Sequence, residues 1–174
     1  MSKKVAVIYQ SKTGYTEKYA KWIAEALKGD LFEGKTVDVK DLKEYHTIIY
    51  GGGIYAGKIN GIDFVTKNYE ELKDKQLVAF ACGSGREDNA RFKEMCKANF
   101  NEAQQEKIKT FYLRGGFDFS KLGFGSKILM TLFKIPLKKS DTEESREMLA
   151  AYKKPTDYTK KENTSALIQW VRSL

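Results

Sequence analysis

The 174-residue chain is expected to be an α/β protein, an open doubly wound parallel sheet with helices on both faces. Three observations predict this. Short continuous apolar runs, rich in β-branched and aromatic residues, recur along the chain, as in strands buried on both faces. Segments of helical periodicity separate them, and such alternation calls for right-handed crossovers between parallel strands. The loops after the runs are rich in glycine and hydroxyl residues, and open α/β sheets bind ligands beyond the carboxyl ends of their strands.

Strands are expected near 4–9, 36–39, 47–51, 77–82 and 109–113, and helices near 15–28, 61–73, 88–98 and 163–173. The first strand runs into the loop Ser11, Lys12, Thr13, Gly14, Tyr15, Thr16. A helix follows, with Tyr19, Trp22, Ile23, Ala26 and Leu27 at helical spacing. A helix N-terminus offers unpaired N–H groups and partial positive charge, so it suits a phosphate. Ser11 or Thr13 could instead serve as an ordinary N-cap. Three hydroxyls around one glycine exceed what a plain cap needs, and phosphate binding is the favoured reading.

The loop after the third strand holds Gly51, Gly52, Gly53, Ile54, Tyr55, Ala56, Gly57 and Lys58. The loop after the fourth holds Cys82, Gly83, Ser84, Gly85 and Arg86, and after the fifth come Arg114 to Phe119. Glycines let backbone approach a ligand closely, and aromatic residues offer stacking surface. This lining suits a planar, phosphorylated ligand. A dinucleotide pattern occurs in letters as Gly51-x-Gly53-x-x-Ala56, but Gly57, Asn60 and Gly61 interrupt the helix it would need. The nucleotide triphosphate loop pattern does not occur.

Residues 121–139 break the alternation, with lysines at 121, 127, 134, 138 and 139 and no acid. A basic amphipathic stretch either packs on the sheet with its lysines in water or presents an exposed membrane or partner surface. Residues 140–161 are polar and read as a helical turn followed by a loop through Pro155. The whole chain, 1–174, is expected to be one domain with a basic amphipathic insertion at about 115–140.

Net charge is +8, which favours anionic partners. The N-terminus enters a strand at once and leaves no room for a signal peptide, so a cytoplasmic protein is expected. Cys82 and Cys96 form no CxxC pair and are expected to be reduced, structural thiols. His46 has no partner at a ligand spacing, so no metal site is expected, and it cannot complete a nucleophile–base set. Side-chain catalysis is therefore poorly supported, and chemistry carried by a cofactor fits better.

On the residues of its first loop and the two glycine loops, the chain resembles the flavodoxin family. The resemblance implies a three-layer sandwich with strand order 2-1-3-4-5 and FMN as cofactor. It implies Ser11, Lys12, Thr13, Gly14, Tyr15 and Thr16 around the phosphate, with Gly52, Gly53, Ile54, Tyr55, Ala56 and Gly57 on one side of the ring. Cys82, Gly83, Ser84 and Gly85 then hold the other side. Gly53 to Gly57, Arg114 to Leu122 and the lysine-rich stretch to Lys139 are similar to the branch containing the menaquinone-dependent protoporphyrinogen oxidases. Thr13 departs from that branch, which carries an acid there. The implied activity is a flavin oxidoreductase passing electrons to a quinone. The alternatives are a soluble electron carrier and an FMN-binding interaction module. The expected partners are a redox protein or quinone and the inner face of an anionic membrane, touched peripherally through 121–139; no nucleic acid is expected. The positive net charge is expected to favour the anionic reduced flavin and raise its potential.

Overall fold

The computed structural model describes residues 4–174. Strand β1 (Val5–Gln10) feeds helix α1 (Tyr15–Leu27). Then come β2 (Asp30–Glu33), a 3₁₀ turn over Val39–Leu42, and β3 (Thr47–Tyr55). The chain turns back through β4 (Lys58–Ile59) into two short helices, α2 (Asp63–Lys67) and α3 (Tyr69–Leu72). Next are β5 (Gln76–Gly83), α4 (Asn89–Asn99), α5 (Glu102–Lys107) and β6 (Ile108–Arg114). The remainder holds β7 (Gly116–Phe117), α6 (Phe124–Lys139), α7 (Glu143–Ala151), β8 (Thr156–Asp157) and α8 (Ser165–Arg172).

The parallel strands lie in the order β2-β1-β3-β5-β6, which is the expected 2-1-3-4-5 once the hairpin strand β4 is set aside. Side chains alternate across each strand, and here both sides are covered. Val7 and Ile49 pair across β1 and β3, Ile49 pairs with Val78 of β5, and this row packs on Tyr19, Ile23 and Leu167 of α1 and α8. The intervening row, Ala6, Ile48 and Leu77, packs on Leu42, Val65, Leu72 and Phe100. Continuous apolar runs are the direct result of burial on both faces. The strand ends then all open on one side of the sheet.

Four expected elements differ. The second strand is Asp30–Glu33 rather than 36–39. Asp38 accepts the Lys40 N–H at 2.9 Å and closes a capping box with Asp41, so that segment turns instead of extending. The true strand is a short edge pairing with β1 alone, and its charged ends hide it from an apolar-run reading. The helix expected at 61–73 breaks at Asn68, whose Nδ2 donates to the Phe64 carbonyl at 2.7 Å. That carbonyl would otherwise take the Asn68 backbone N–H. The glycines after residue 51 continue β3 to Tyr55 rather than forming a loop. The segment 140–161 contains a helix of nine residues, α7, set by Thr142 and Ser145 in a capping box.

Candidate functional site

The β1–α1 loop forms one end of a cleft above the strand ends. Gly14 has φ +94°, a left-handed conformation that glycine adopts without strain, and its N–H donates to Ser11 Oγ at 3.0 Å. The first bond into α1 runs from the Lys18 N–H to the Gly14 carbonyl at 3.0 Å. The N–H groups of Tyr15, Thr16 and Glu17 therefore have no acceptor within the helix, and no side chain caps it. Thr16 is buried, and its hydroxyl hydrogen-bonds the Cys82 thiol. Burial pushes that thiol up to about 12, which keeps it protonated and inert as a nucleophile.

The second wall is the β3–β4 hairpin. Ala56 (φ 48°) and Gly57 (φ 76°) form a two-residue turn between the paired Tyr55 and Lys58. Positive φ at both positions matches the twist of the flanking strands and strains only the alanine. Asn99 of α4 pins the turn, donating to the Gly57 carbonyl at 2.8 Å and accepting the Ile59 N–H at 2.9 Å. Gly53 leaves room for Tyr55, whose ring would lie 3.1 Å from an added Cβ. The Tyr55 phenol shares a hydrogen bond with Thr13, and Lys12 Nζ sits 4.4 Å from the ring centre.

The third wall is the end of β5. Its carbonyls are held from β6 and just beyond. Gly115 N–H donates to Gly83 at 2.7 Å, Arg114 Nε to Ser84 at 3.3 Å, and Tyr112 hydroxyl to Gly85 at 2.6 Å. With its carbonyls occupied, this loop can present N–H groups to a ligand.

The walls enclose a cavity of about 440 Å³. Thr13, Tyr15, Thr16, Gly53, Ile54, Tyr55, Ala56, Gly57, Cys82, Gly83, Ser84 and Gly85 all line it, so residues of three separate segments meet at one cavity. Ser11, Lys12 and Gly14 shape the first loop without lining the cavity. Gly52 is not on its wall; it is a strand residue whose missing Cβ makes room for the Asn60 carbonyl and Ile59.

Sequence reasoning missed the roof. Met130, Phe133 and Leu137 of α6, and Met148 of α7 with Tyr152 just beyond it, close the cavity from above. The spacing of Met130, Phe133 and Leu137 was the available signal. The Tyr152 hydroxyl donates to the Met130 carbonyl at 2.6 Å, and its ring packs on Phe117 and Phe119. Lys134 covers Tyr152 and Phe119 at 4.3 and 4.9 Å. Arg86 pairs with Glu147 at 2.8 Å and Arg91 with Glu144 at 2.7 Å, tying α7 to the β5–α4 side. The arginines on the wall are thus matched by glutamates, and the net positive charge is not concentrated in the cleft.

A family model described as a flavodoxin domain matches residues 6–145. A search of curated proteins finds no match. Among solved structures, the chain is similar to a flavodoxin, WrbA-like protein of Agrobacterium tumefaciens. Identity is 18%, coverage is 76% of this chain and 92% of that one, and the TM-score is 0.48. It is also similar to rubredoxin oxygen:oxidoreductase of Desulfovibrio gigas at 15% identity, covering 84% of this chain and 36% of that one, with a TM-score of 0.46. Two-electron reduced flavodoxin of Megasphaera elsdenii matches at 19% identity, 62% and 84% coverage, and a TM-score of 0.44. The family rests on the sequence model, which spans most of the chain.

Proposed function

The chain belongs to the flavodoxin-domain family, whose cofactor is FMN, and on that premise we propose that it is an FMN-dependent oxidoreductase acting on an apolar, flat substrate. One observation carries the reading: a single cavity joins an open helix N-terminus, two glycine-bearing strand ends and an apolar roof. The donor set fits the cofactor. Thr13 and Thr16, with the N–H groups of Tyr15 to Glu17, would hold the phosphate without a cation. Gly53, Gly83 and Gly85 add no side-chain bulk to the wall that a ring must approach, and Tyr55 would lie beside it.

When bound, FMN supplies electron or hydride transfer at its N5. The chain's own residues bind, orient and shield. Tyr112, Arg114 and Gly115 fix the 83–85 backbone, so its N–H groups are positioned in advance. Met130, Phe133 and Leu137 exclude water above the ring site and give an apolar partner a surface to pack on. This roof supports a substrate enzyme over a carrier, because a carrier works through a cofactor edge left open to a protein partner. The finer reading is a quinone acceptor, with a protoporphyrinogen-like donor suggested by the branch resemblance.

The test is a visible spectrum of the purified protein and FMN titration by fluorescence quenching. Reoxidation of the dithionite-reduced protein by a menaquinone analogue, with and without protoporphyrinogen turnover, follows. Rapid reoxidation with turnover fits the enzyme. Exchange with a reductase but no turnover would make the protein a carrier. A colourless protein that cannot take up FMN would overturn the whole reading.

A further inference from the structure

The helix that roofs the cleft has an outer side that the redox reading leaves unused. None of the 16 residues of α6 is buried. Phe124, Ile128, Leu132 and Ile135 are 83%, 51%, 58% and 55% exposed. Their spacing places them on one stripe of the helix. Met130, Phe133 and Leu137 occupy a different side, the one facing the cavity. The stripe is therefore not the edge of the roof packing. Scattered exposed apolar residues need no explanation, but a continuous row along about three turns does.

We propose that α6 is a docking surface that lies in the plane of an anionic lipid bilayer. Charge selects this occupant. Lys127, Lys134, Lys138 and Lys139 stand on the helix with no acid between residues 121 and 139. Lys134 is folded over Phe119 and Tyr152, but Lys127, Lys138 and Lys139 make no ion pair among the described residues. An apolar stripe bordered by lysines is the pattern of helices that rest at the headgroup level. A second copy of the chain is disfavoured, because pairing two such stripes would set their lysines against each other. No helix among the described residues is long and apolar enough to cross a membrane, so α6 would lie on the surface. Docked this way, the roof rests on lipid, and an apolar molecule could pass from bilayer to cavity without crossing water.

The docking surface does not depend on the cofactor assignment. The test is sedimentation of the full chain with phosphatidylcholine vesicles, with and without phosphatidylglycerol. Binding is expected to the anionic vesicles and to weaken as salt rises. The triple variant Phe124→Gln/Ile128→Gln/Leu132→Gln should bind at least about tenfold less. Its urea midpoint and FMN titration should match the parent, which separates loss of docking from loss of fold. Absence of vesicle binding by the parent, equal binding by the variant, or a parent dimer that the variant dissolves would each overturn the proposal. FMN uptake without vesicle binding would sink only this inference; vesicle binding without FMN uptake would sink only the redox reading.

Discussion

At the β1–α1 end of the cleft the sheet fixes nearly everything, whereas at the α6–α7 roof almost nothing is buried. Val7, Ile8, Tyr19, Ile23 and Phe80 are fully buried beneath the first end. The roof contributes only Leu122, Ser145 and Ala151 to the buried set, and it hangs on a phenol, one lysine over two rings and exposed ion pairs. Rigid donors suit a cofactor that is held throughout a cycle. A marginal roof suits a partner that must enter and leave, since elements that move come from the low-stability end of a structure.

The sharpest way to break this comparison is to truncate one side chain in each half. Phe80→Ala removes a buried ring whose space the missing Cβ of Gly51 creates. It should cost about 3–5 kcal/mol in urea unfolding. Leu132→Ala on the roof should cost about 0.5 kcal/mol or less. Equal losses would mean that α6 is part of the core. Gly14→Ala tests the cofactor end more finely. Placing a Cβ at φ +94° costs about 1–2 kcal/mol. If that strain distorts the first turn, FMN affinity should fall about tenfold.

The buried half also predicts a pH dependence. The Cys82 thiol is raised by burial from 9.0 to about 12, while the unfolded thiol ionises near its ordinary value. Above that value the unfolded state loses its proton first, so stability is full below pH 9 and falls between pH 9 and 12. Burial raises the Tyr50 and Tyr112 phenols too, which adds a contribution of the same sign. Urea midpoints at neutral and alkaline pH measure this, and Cys82→Ala should flatten the slope. Folded Cys82 should also resist alkylation at neutral pH.

What the sequence made legible follows the same division. β1, β3 and β5 are buried on both faces, so their apolar runs are unambiguous, and the loops at their ends are placed by the sheet itself. The edge strand Asp30–Glu33 was hidden because only one neighbour pairs with it and three of its four residues are exposed. Gly52 was placed on a ligand loop because a glycine that admits a crossing chain reads the same as one that admits a ring. The roof was only partly legible, for another reason. The spacing of Met130, Phe133 and Leu137 marks an apolar side of α6, but these residues meet Met148 and Tyr152 only after α6 and α7 fold back over the sheet.

A smaller effect is expected where the roof is tied down. Arg86→Gln with Arg91→Gln removes the exposed pairs to Glu147 and Glu144, which should lower global stability by about 1 kcal/mol or less. Hydrogen exchange should quicken in α7 while β1 and β5 stay protected. Unchanged exchange in α7 would mean that the aromatic contacts alone hold the roof.

A change of comparable size but opposite sign is expected at the other end of α1. Lys28 ends that helix at φ 51°, ψ 40°, a left-handed conformation without glycine. Its neighbour Gly29 donates to the Ala24 carbonyl at 2.9 Å and cannot carry a Cβ, which would meet the Val5 carbonyl. The following residue is therefore fixed by contact with β1, and Lys28 must adopt whatever conformation joins the two. Only a segment held on both sides keeps such strain in place. Lys28→Gly relieves it and loses some chain entropy, for a net gain of about 0.5–1 kcal/mol. Because α1 is anchored through Tyr19, Ala20 and Ile23, the relief should appear in the urea midpoint and leave FMN affinity unchanged. A shift in affinity instead would show that the two ends of α1 are mechanically coupled, and that the cofactor end is less rigid than its packing implies.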